Sequence, residues 1–397
     1  MSSNVPILNW HVQVLKYLFL WPKDCFTKKQ NKFFSYGYFI LSTSFAIPVV
    51  WASVYQLYVG IEDYNILVEA LIAVCDITGY LVVYYCLLKN QETVENILKD
   101  IQIFLEFSEH TIITDVDEKC SYYTKYLILY VTIGVSLNVG WPLISKENCI
   151  ESRGSEFYLQ HDPCGMPTQN FYPFDASKPY IFWIVYIIES NYCFHICYAF
   201  SLATSIVTGL LMHVIAQLKH CGKTFEQVFN STEYHENKEQ IIKQKFQWCV
   251  RYHQVILSYS ERIFNVFSTM LIIYVTITSF TLAVISYQIA SSKTNVQDRL
   301  RYAMLLIGWL LLFSFICFYG QKIKDESMNI ADAVYNSNYF EHNTALRRDI
   351  ILVIARAQKP LTLKAKYMGT ISLVRFVSVL KTAYSFFTLL LTVADEK

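Results

Sequence analysis

The chain has 397 residues, of which 54% are hydrophobic, 16% aromatic and only 16% charged, with a mean hydropathy of +0.29. Soluble domains carry about 25% charged residues, so this composition belongs to a chain that partitions into lipid. A net charge of +1 excludes the basic field that nucleic-acid binding requires, and no nucleic-acid partner is expected.

The first residues, MSSNVPILNWHVQVLKYLFLWPKD, hold an interrupted, aromatic apolar stretch with no small-residue cleavage site after it. It does not read as a signal peptide. Runs of about 20 apolar residues mark spanning helices. They fall at 33–61, 65–88, 126–145, 180–218, 263–292, 302–321 and 367–393. Glu69 and Asp76 interrupt the second, Glu189 lies in the fourth, and Arg375 and Lys381 lie in the last. The pattern is all-α: a seven-transmembrane-helix membrane protein forming one domain over 1–397. Lys and Arg number 24 in the N-terminal tail and the links after the second, fourth and sixth spans, against 7 in the other links and the C-terminal end. The positive-inside rule then predicts a cytoplasmic N-terminus and an extracellular C-terminus.

The fourth run is longer than a bilayer is thick, and its charged continuation keeps apolar residues at helical spacing. Ile241, Ile242, Phe246, Cys249 and Val250 do so, as do Ile330, Val334, Leu346, Ile350, Val353 and Ile354 further on. Segments of about 219–262 and 323–359 therefore read as cytoplasmic helical extensions packed on one another, ending at Pro360. The link 146–179 is different. It holds four prolines and reads as an extracellular loop capping the outer face. Cys149 and Cys164 both lie in it, either bonded or as two free thiols.

No catalytic signature is present, and no enzyme activity or cofactor is expected. Cys193, His195 and Cys197 invite a metal reading, but residues two apart on a helix point to opposite faces. The single glycosylation sequon, at Asn230, falls in a predicted cytoplasmic link. Ionisable residues in a span are functional hypotheses by default. Glu69, Asp76 and Glu189 therefore read either as a polar cavity or ion path, or as groups paired with Tyr, Asn or Lys on a neighbouring helix. Gly134, Leu137, Asn138 and Trp141 recur at three and four in the third span, and Trp183, Tyr186 and Ser190 do likewise in the fourth. Such faces line a pocket for a small apolar ligand, or are ordinary packing or an interfacial belt. In the last span Ser385, Leu389 and Val393 repeat at four and form one stripe, with Lys381 four residues before Ser385. A water-filled lumen, snorkelling or a partner carboxylate would accommodate that lysine.

Several stretches resemble the insect odorant receptor family. They are NFYPFDASKPY (170–180), RYHQVILSYSERIFNVFS (251–268), ESMNIADAVYNSNYF (326–340), RRDIILVIARAQKPLTLKA (347–365) and LKTAYSFFTLLLTV (380–393). The resemblance implies an odorant-gated, non-selective cation channel in the plasma membrane of a sensory neuron dendrite. It implies a heterotetramer of a divergent odour-binding subunit with a shared co-receptor. The co-receptor carries a long insertion between its fourth and fifth helices; here that link is short, which resembles the odour-binding kind. By position, the resemblance implies a site for a small volatile ligand between the second, third, fourth and sixth helices. It would involve Leu71, Val74, Cys75, Gly134, Leu137, Asn138, Trp141, Tyr186, Ser190, Tyr302 and Leu306. It also implies an apolar pore constriction at Leu389 and Val393, beside Ser385. The related gustatory receptors end in a Thr-Tyr…Gln-Phe pattern that Ala383-Tyr384-Ser385-Phe386 departs from. A G-protein-coupled receptor would need the opposite orientation and the Asp-Arg-Tyr or Asn-Pro-x-x-Tyr motifs, and neither motif occurs. A transporter would need an inverted repeat, which the chain lacks.

Overall fold

A computed structural model of the protein describes residues 12–14, 16, 28–59, 64–153, 156–168, 170–230, 238–290, 296–337, 339–341 and 343–395. Its helices are α1 (Lys28–Val59), α2 (Tyr64–Lys89), α3 (Gln91–Asp100), α4 (His110–Ile144), α5 (Lys146–Arg153), α6 (Glu156–His161), α7 (Pro179–Asn230), α8 (Lys238–Ala290), α9 (Val296–Tyr335), α10 (Thr344–Ala357) and α11 (Leu373–Asp395). Seven of them, α1, α2, α4, α7, α8, α9 and α11, are long and apolar enough to cross a membrane.

The expected runs seeded these helices, but charged residues extend several of them. The third begins at His110 rather than near residue 126, because its first turns need only helical continuity, not lipid. α7 has 52 residues and α8 has 53. At 1.5 Å per residue each is about 80 Å long, well over a bilayer's hydrocarbon thickness. Their overhangs project together from one end of the bundle, called here the stem. The opposite end carries the 146–179 segment. α7 is the axis of the bundle, with 89% of its apolar window buried, whereas α11 is peripheral, with 11%.

In the stem, Tyr259 donates to the Ile97 carbonyl at 3.0 Å, Arg262 pairs with Asp100 at 2.6 Å, and Phe107 stacks on Tyr252 with centroids 4.9 Å apart. The expected extension over 323–359 is not one helix. α9 ends at Tyr335, and α10 starts afresh with Asn343 as its N-cap, whose side chain accepts from the Leu346 amide at 2.9 Å. Pro360 follows three residues after α10 ends. The last expected span starts later than residue 367. A two-stranded hairpin pairs β1 (Lys364–Ala365) with β2 (Gly369–Thr370) before α11 begins. Gly369 has φ +86° in this turn, a conformation natural to glycine. Arg375 donates to the Met368 carbonyl, so this charge of the last helix serves the hairpin. Gly320 of α9 lets the Ile371 carbonyl approach: a Cβ there would stand 2.6 Å from that oxygen.

The 146–179 segment opens with two short helices, α5 and α6, and is irregular after His161, where hydrogen bonds and a disulfide hold it. Cys149 and Cys164 are joined in a disulfide, Cα–Cα 5.8 Å. The Tyr172 amide donates to the His161 carbonyl at 2.8 Å, and Ala176 to the Gln160 carbonyl at 2.8 Å. The Ser177 hydroxyl and amide hold the Asp175 carboxyl below the usual carboxylate range, just ahead of Pro179 at the start of α7. Most of the fastening runs through Glu189, a buried carboxyl on α7. It accepts from the Tyr172 hydroxyl, from Asn170 Nδ2 at 3.1 Å and from the Thr168 amide at 3.2 Å. Asn170 in turn accepts from Ser53 of α1 at 3.0 Å. Glu189 is therefore paired, as one of its two expected readings required, but its partners come from the capping segment rather than from a neighbouring helix. Burial and the adjacent Glu189 carboxyl push the Tyr172 phenol well above its ordinary range, so it remains the donor.

Replacing this acceptor strands the buried Tyr172 hydroxyl and the half-buried Thr168 amide, and leaves Asn170 Nδ2 with Thr168 Oγ1. Glu189→Leu is expected to cost about 2–4 kcal/mol, read as a lower melting temperature of the detergent-solubilised chain. Glu189→Gln, which keeps an acceptor oxygen, should lose less. Equal melting of the Glu189→Leu variant and wild type would mean that the segment is held by other contacts.

Candidate functional site

A cavity of about 680 Å³, including its open mouth, lies between α2, α4, α7 and α9. α4 lines it with Tyr130, Val131, Gly134, Val135 and Asn138, one stripe at steps of three and four. α7 contributes Ile196, Cys197, Phe200 and Ser201, and α9 contributes Arg301, Met304, Leu305, Gly308, Trp309 and Leu312. α2 contributes Asp76. The wall is largely apolar with a few convergent polar groups, which is the composition of a small-molecule site.

Two glycines shape the space. A Cβ on Gly134 would meet nothing within 4 Å, so that residue opens the wall. Gly79, one turn beyond Asp76, does the opposite. A Cβ there would lie 2.6 Å from Ile277 Cδ1 and 2.8 Å from Phe200 Cζ, so its absence lets α2 close on α7 and α8 below the cavity. Around Phe200 the floor is aromatic. Phe200 meets Trp309 edge to face at 4.9 Å and Tyr274 at 5.6 Å. Tyr274 leads to Phe313 at 6.4 Å, and Phe313 to Phe376 of α11 at 5.8 Å. The Tyr274 and Thr204 hydroxyls share a hydrogen bond of 2.9 Å, which fixes the ring in this chain.

Of the residues expected at a ligand site, Gly134 and Asn138 line the cavity. Leu137 is 41% exposed on the outside of α4, one residue out of phase. Trp141 is half-buried further along α4, and its indole Nε1 makes no hydrogen bond among the described residues. Tyr186 donates to the Val139 carbonyl at 3.0 Å and Ser190 to the Tyr186 carbonyl at 2.6 Å, so this pair fastens α7 to α4 outside the cavity. On α2, Leu71, Val74 and Cys75 are half-buried and off the lining, while their neighbour Asp76 is on it. On α9, Tyr302 is buried and Leu306 half-buried; the adjacent Arg301 and Leu305 face the space instead. The side chain of Glu69 lies outside the described residues, as does part of the sequon at Asn230. His195 packs on Tyr38 at 5.9 Å, whereas Cys197 faces the cavity.

Tyr130, Phe200, Trp309 and Arg301 were not anticipated. Asp76 had a signal, an ionisable residue inside a span. Tyr130 lies four residues before Gly134 and eight before Asn138, so extending that stripe inward would have reached it.

On α11, Ser385 is exposed and donates to the Lys381 carbonyl at 3.1 Å, Leu389 is 57% exposed, and Val393 is half-buried. The helix turns Phe387, Leu390, Leu391 and Ala394 to Val68, Val284 and Tyr287. The Ser385–Leu389 stripe is thus not the face that packs on α2 and α8.

The profile of the 7tm odorant receptor family matches residues 65–384, well over half of the chain. Odorant receptor 67c of Drosophila melanogaster is 26% identical over 224 residues, and the putative odorant receptor 92a of the same species is 26% identical over 273. These matches cover 56% and 68% of this chain, and span 54% and 64% of the two relatives' lengths. The fold is that of the insect olfactory receptor OR5 from Machilis hrabei. Its structure superposes with a TM-score of 0.76 at 16% identity over 97% of each chain. The structure of that receptor with eugenol superposes with a TM-score of 0.75 at 14% identity. Seven apolar helices in this arrangement, together with the family match, make the chain a multi-pass membrane protein of the 7tm odorant receptor family.

Proposed function

We propose that this receptor is the odour-binding subunit of a ligand-gated, non-selective cation channel, assembled with a co-receptor subunit into a heterotetramer in the plasma membrane. The observation that carries the reading is the continuity between cavity and last helix. A pocket enclosed by α2, α4, α7 and α9 rests on Phe200 and Trp309, and packed rings run from there to Phe376 on α11. That same helix carries an apolar stripe on a face its own chain leaves open. A small volatile molecule that fits the cavity better when α11 is displaced would favour the open channel. Only such differential affinity can shift the equilibrium. The Machilis receptor's complex with eugenol shows that one protein of this fold binds a small aromatic molecule. In this reading Leu389 and Val393 form the apolar constriction, and the stem is where subunits meet. The segment between α7 and α8 is short, from residue 231 to 237, as suits the odour-binding kind. In this reading the stem and the N-terminus are cytoplasmic and the Cys149–Cys164 segment is outside, which the excess of Lys and Arg at the stem end supports.

Four measurements test this reading. Co-expression with a co-receptor should yield inward current with an odorant panel. Gly134→Phe, whose ring would enter the cavity, should raise the effective concentration of an active odorant about a hundredfold or abolish the response, at unchanged surface expression. Normal responses in that variant would place the ligand elsewhere. Leu389→Ala is expected to raise ligand-independent current several-fold by widening an apolar constriction; a basal current unchanged from wild type counts against the pore assignment. An epitope at the N-terminus should be stained only after permeabilisation, and staining of intact cells would reverse the orientation.

A further inference from the structure

Most polar groups around the cavity are already engaged. Tyr130 donates its hydroxyl hydrogen to the Met304 carbonyl at 2.7 Å, and Ser201 donates to the Cys197 carbonyl at 2.7 Å. The Arg301 guanidinium lies over the Tyr302 ring, 5.1 Å from its centroid, and donates to its hydroxyl at 3.4 Å. Asp76 differs. Its Oδ1 accepts a long bond of 3.3 Å from the Thr281 hydroxyl of α8, the one hydrogen bond described for this side chain. It lies twelve residues into α2, about 18 Å along the helix axis, at a depth where lipid surrounds the bundle. A carboxyl in such surroundings is costly unless its lone pairs are met. Glu189, a carboxyl likewise inside a span, is met by three donors. Asp76 faces the cavity with acceptor capacity to spare.

We infer that Asp76 is the polar anchor of this cavity, and that the ligand class it selects is a small, largely apolar molecule bearing one O–H or N–H donor. The inference rests on the cavity being the ligand site. An alcohol, phenol or amine completes the Asp76 shell while its carbon skeleton fills the space against Phe200, Trp309 and Leu312. An ether of the same shape carries only acceptors and leaves the carboxyl unmet. Sites built to hydrogen-bond a donor reject the analogue lacking it strongly, because the buried partner is left unpaired. Because Thr281 shares the same carboxyl, occupancy also bears directly on the contact between α2 and α8.

The test uses the full chain. Probes are benzyl alcohol, benzyl methyl ether, benzylamine and benzoic acid, with 1-octanol, methyl octyl ether, octylamine and octanoic acid as an aliphatic series. Binding to the purified receptor is read from tryptophan fluorescence, with Trp309→Phe identifying the reporter in the cavity; current with a co-receptor is read separately. The expected result is binding of the alcohol or amine at least tenfold tighter than of the matched ether. Asp76→Asn, which keeps an acceptor for Thr281, should weaken alcohol binding about tenfold and leave the ether unchanged. Asp76→Leu should erase the difference between alcohol and ether. Alcohol against amine then tells whether the donor is neutral or charged. Equal binding of ether and alcohol overturns the inference. So does tightest binding of the acids, which would make Arg301 the anchor, an Asp76→Asn effect equal for alcohol and ether, or no binding of any donor probe. Donor-selective binding that evokes no current supports the Asp76 assignment and sinks the channel reading instead.

Discussion

Hydrocarbon offers no hydrogen-bond partners, and that constraint governs most of what this chain does. Every backbone group at membrane depth must pair within the protein, which leaves continuous helices as the available form for an open-ended segment. Hydroxyls in the spans follow the same rule by turning back on their own helix. Ser53 bonds the Val49 carbonyl, Ser201 that of Cys197, and Thr278 that of Tyr274, each four residues earlier. What remains after this self-satisfaction is a short set of polar side chains that look across to another element. Those few groups carry the chemistry.

Two carboxyls show how different their roles are. Glu189 is surrounded by donors from the irregular part of the capping segment after α6, which is thereby tied to the axis of the bundle. The buried prolines Pro163 and Pro167 need no donor partner, which suits a segment with few ladder bonds. Asp76 sits deeper, against a cavity, with one long bond. A fully met carboxyl makes structure rigid. An under-met one facing open space is specific for whatever completes it.

Much of this was legible in advance, and the exceptions have definite causes. All seven spans were visible because lipid imposes long apolar runs. Their ends were not, because charged turns such as 110–125 continue a helix without leaving an apolar trace. The four helices around the cavity, and Gly134 and Asn138 within it, coincide with the resemblance to odorant receptors. The phase was missed on α2 and α9, by one residue in each case: Cys75 for Asp76 and Tyr302 for Arg301. Only 39% and 33% of their apolar windows are buried, so apolar positions face lipid as well as the bundle and no single stripe marks the inward face. The 364–370 hairpin was hidden for another reason. Its two-residue strands are too short to show alternation, and the turn is marked by the positive φ of Lys366 and Gly369, which only the structure shows.

The peripheral position of α11 follows from the same physics. Within lipid there is no hydrophobic gain from packing one apolar helix on another, so association depends on close contact and specific bonds. α11 meets its own chain along one side, where Val379 and Ala383 are buried and Phe386 meets Phe280, while 11% of its apolar window is buried. One face meets Val68, Val284 and Tyr287, Phe376 touches Phe313, and Arg375 is tied to the hairpin at its base. The base is fastened by bonds, while the far part, with Ser385 and Leu389 on its open side, is held by apolar contacts alone. An element held at one end and lightly packed along its length is displaced at small cost. The proposed channel, with a gate that answers to the binding energy of one small ligand, would require that property, because a deeply buried helix would demand more energy than such a ligand can supply.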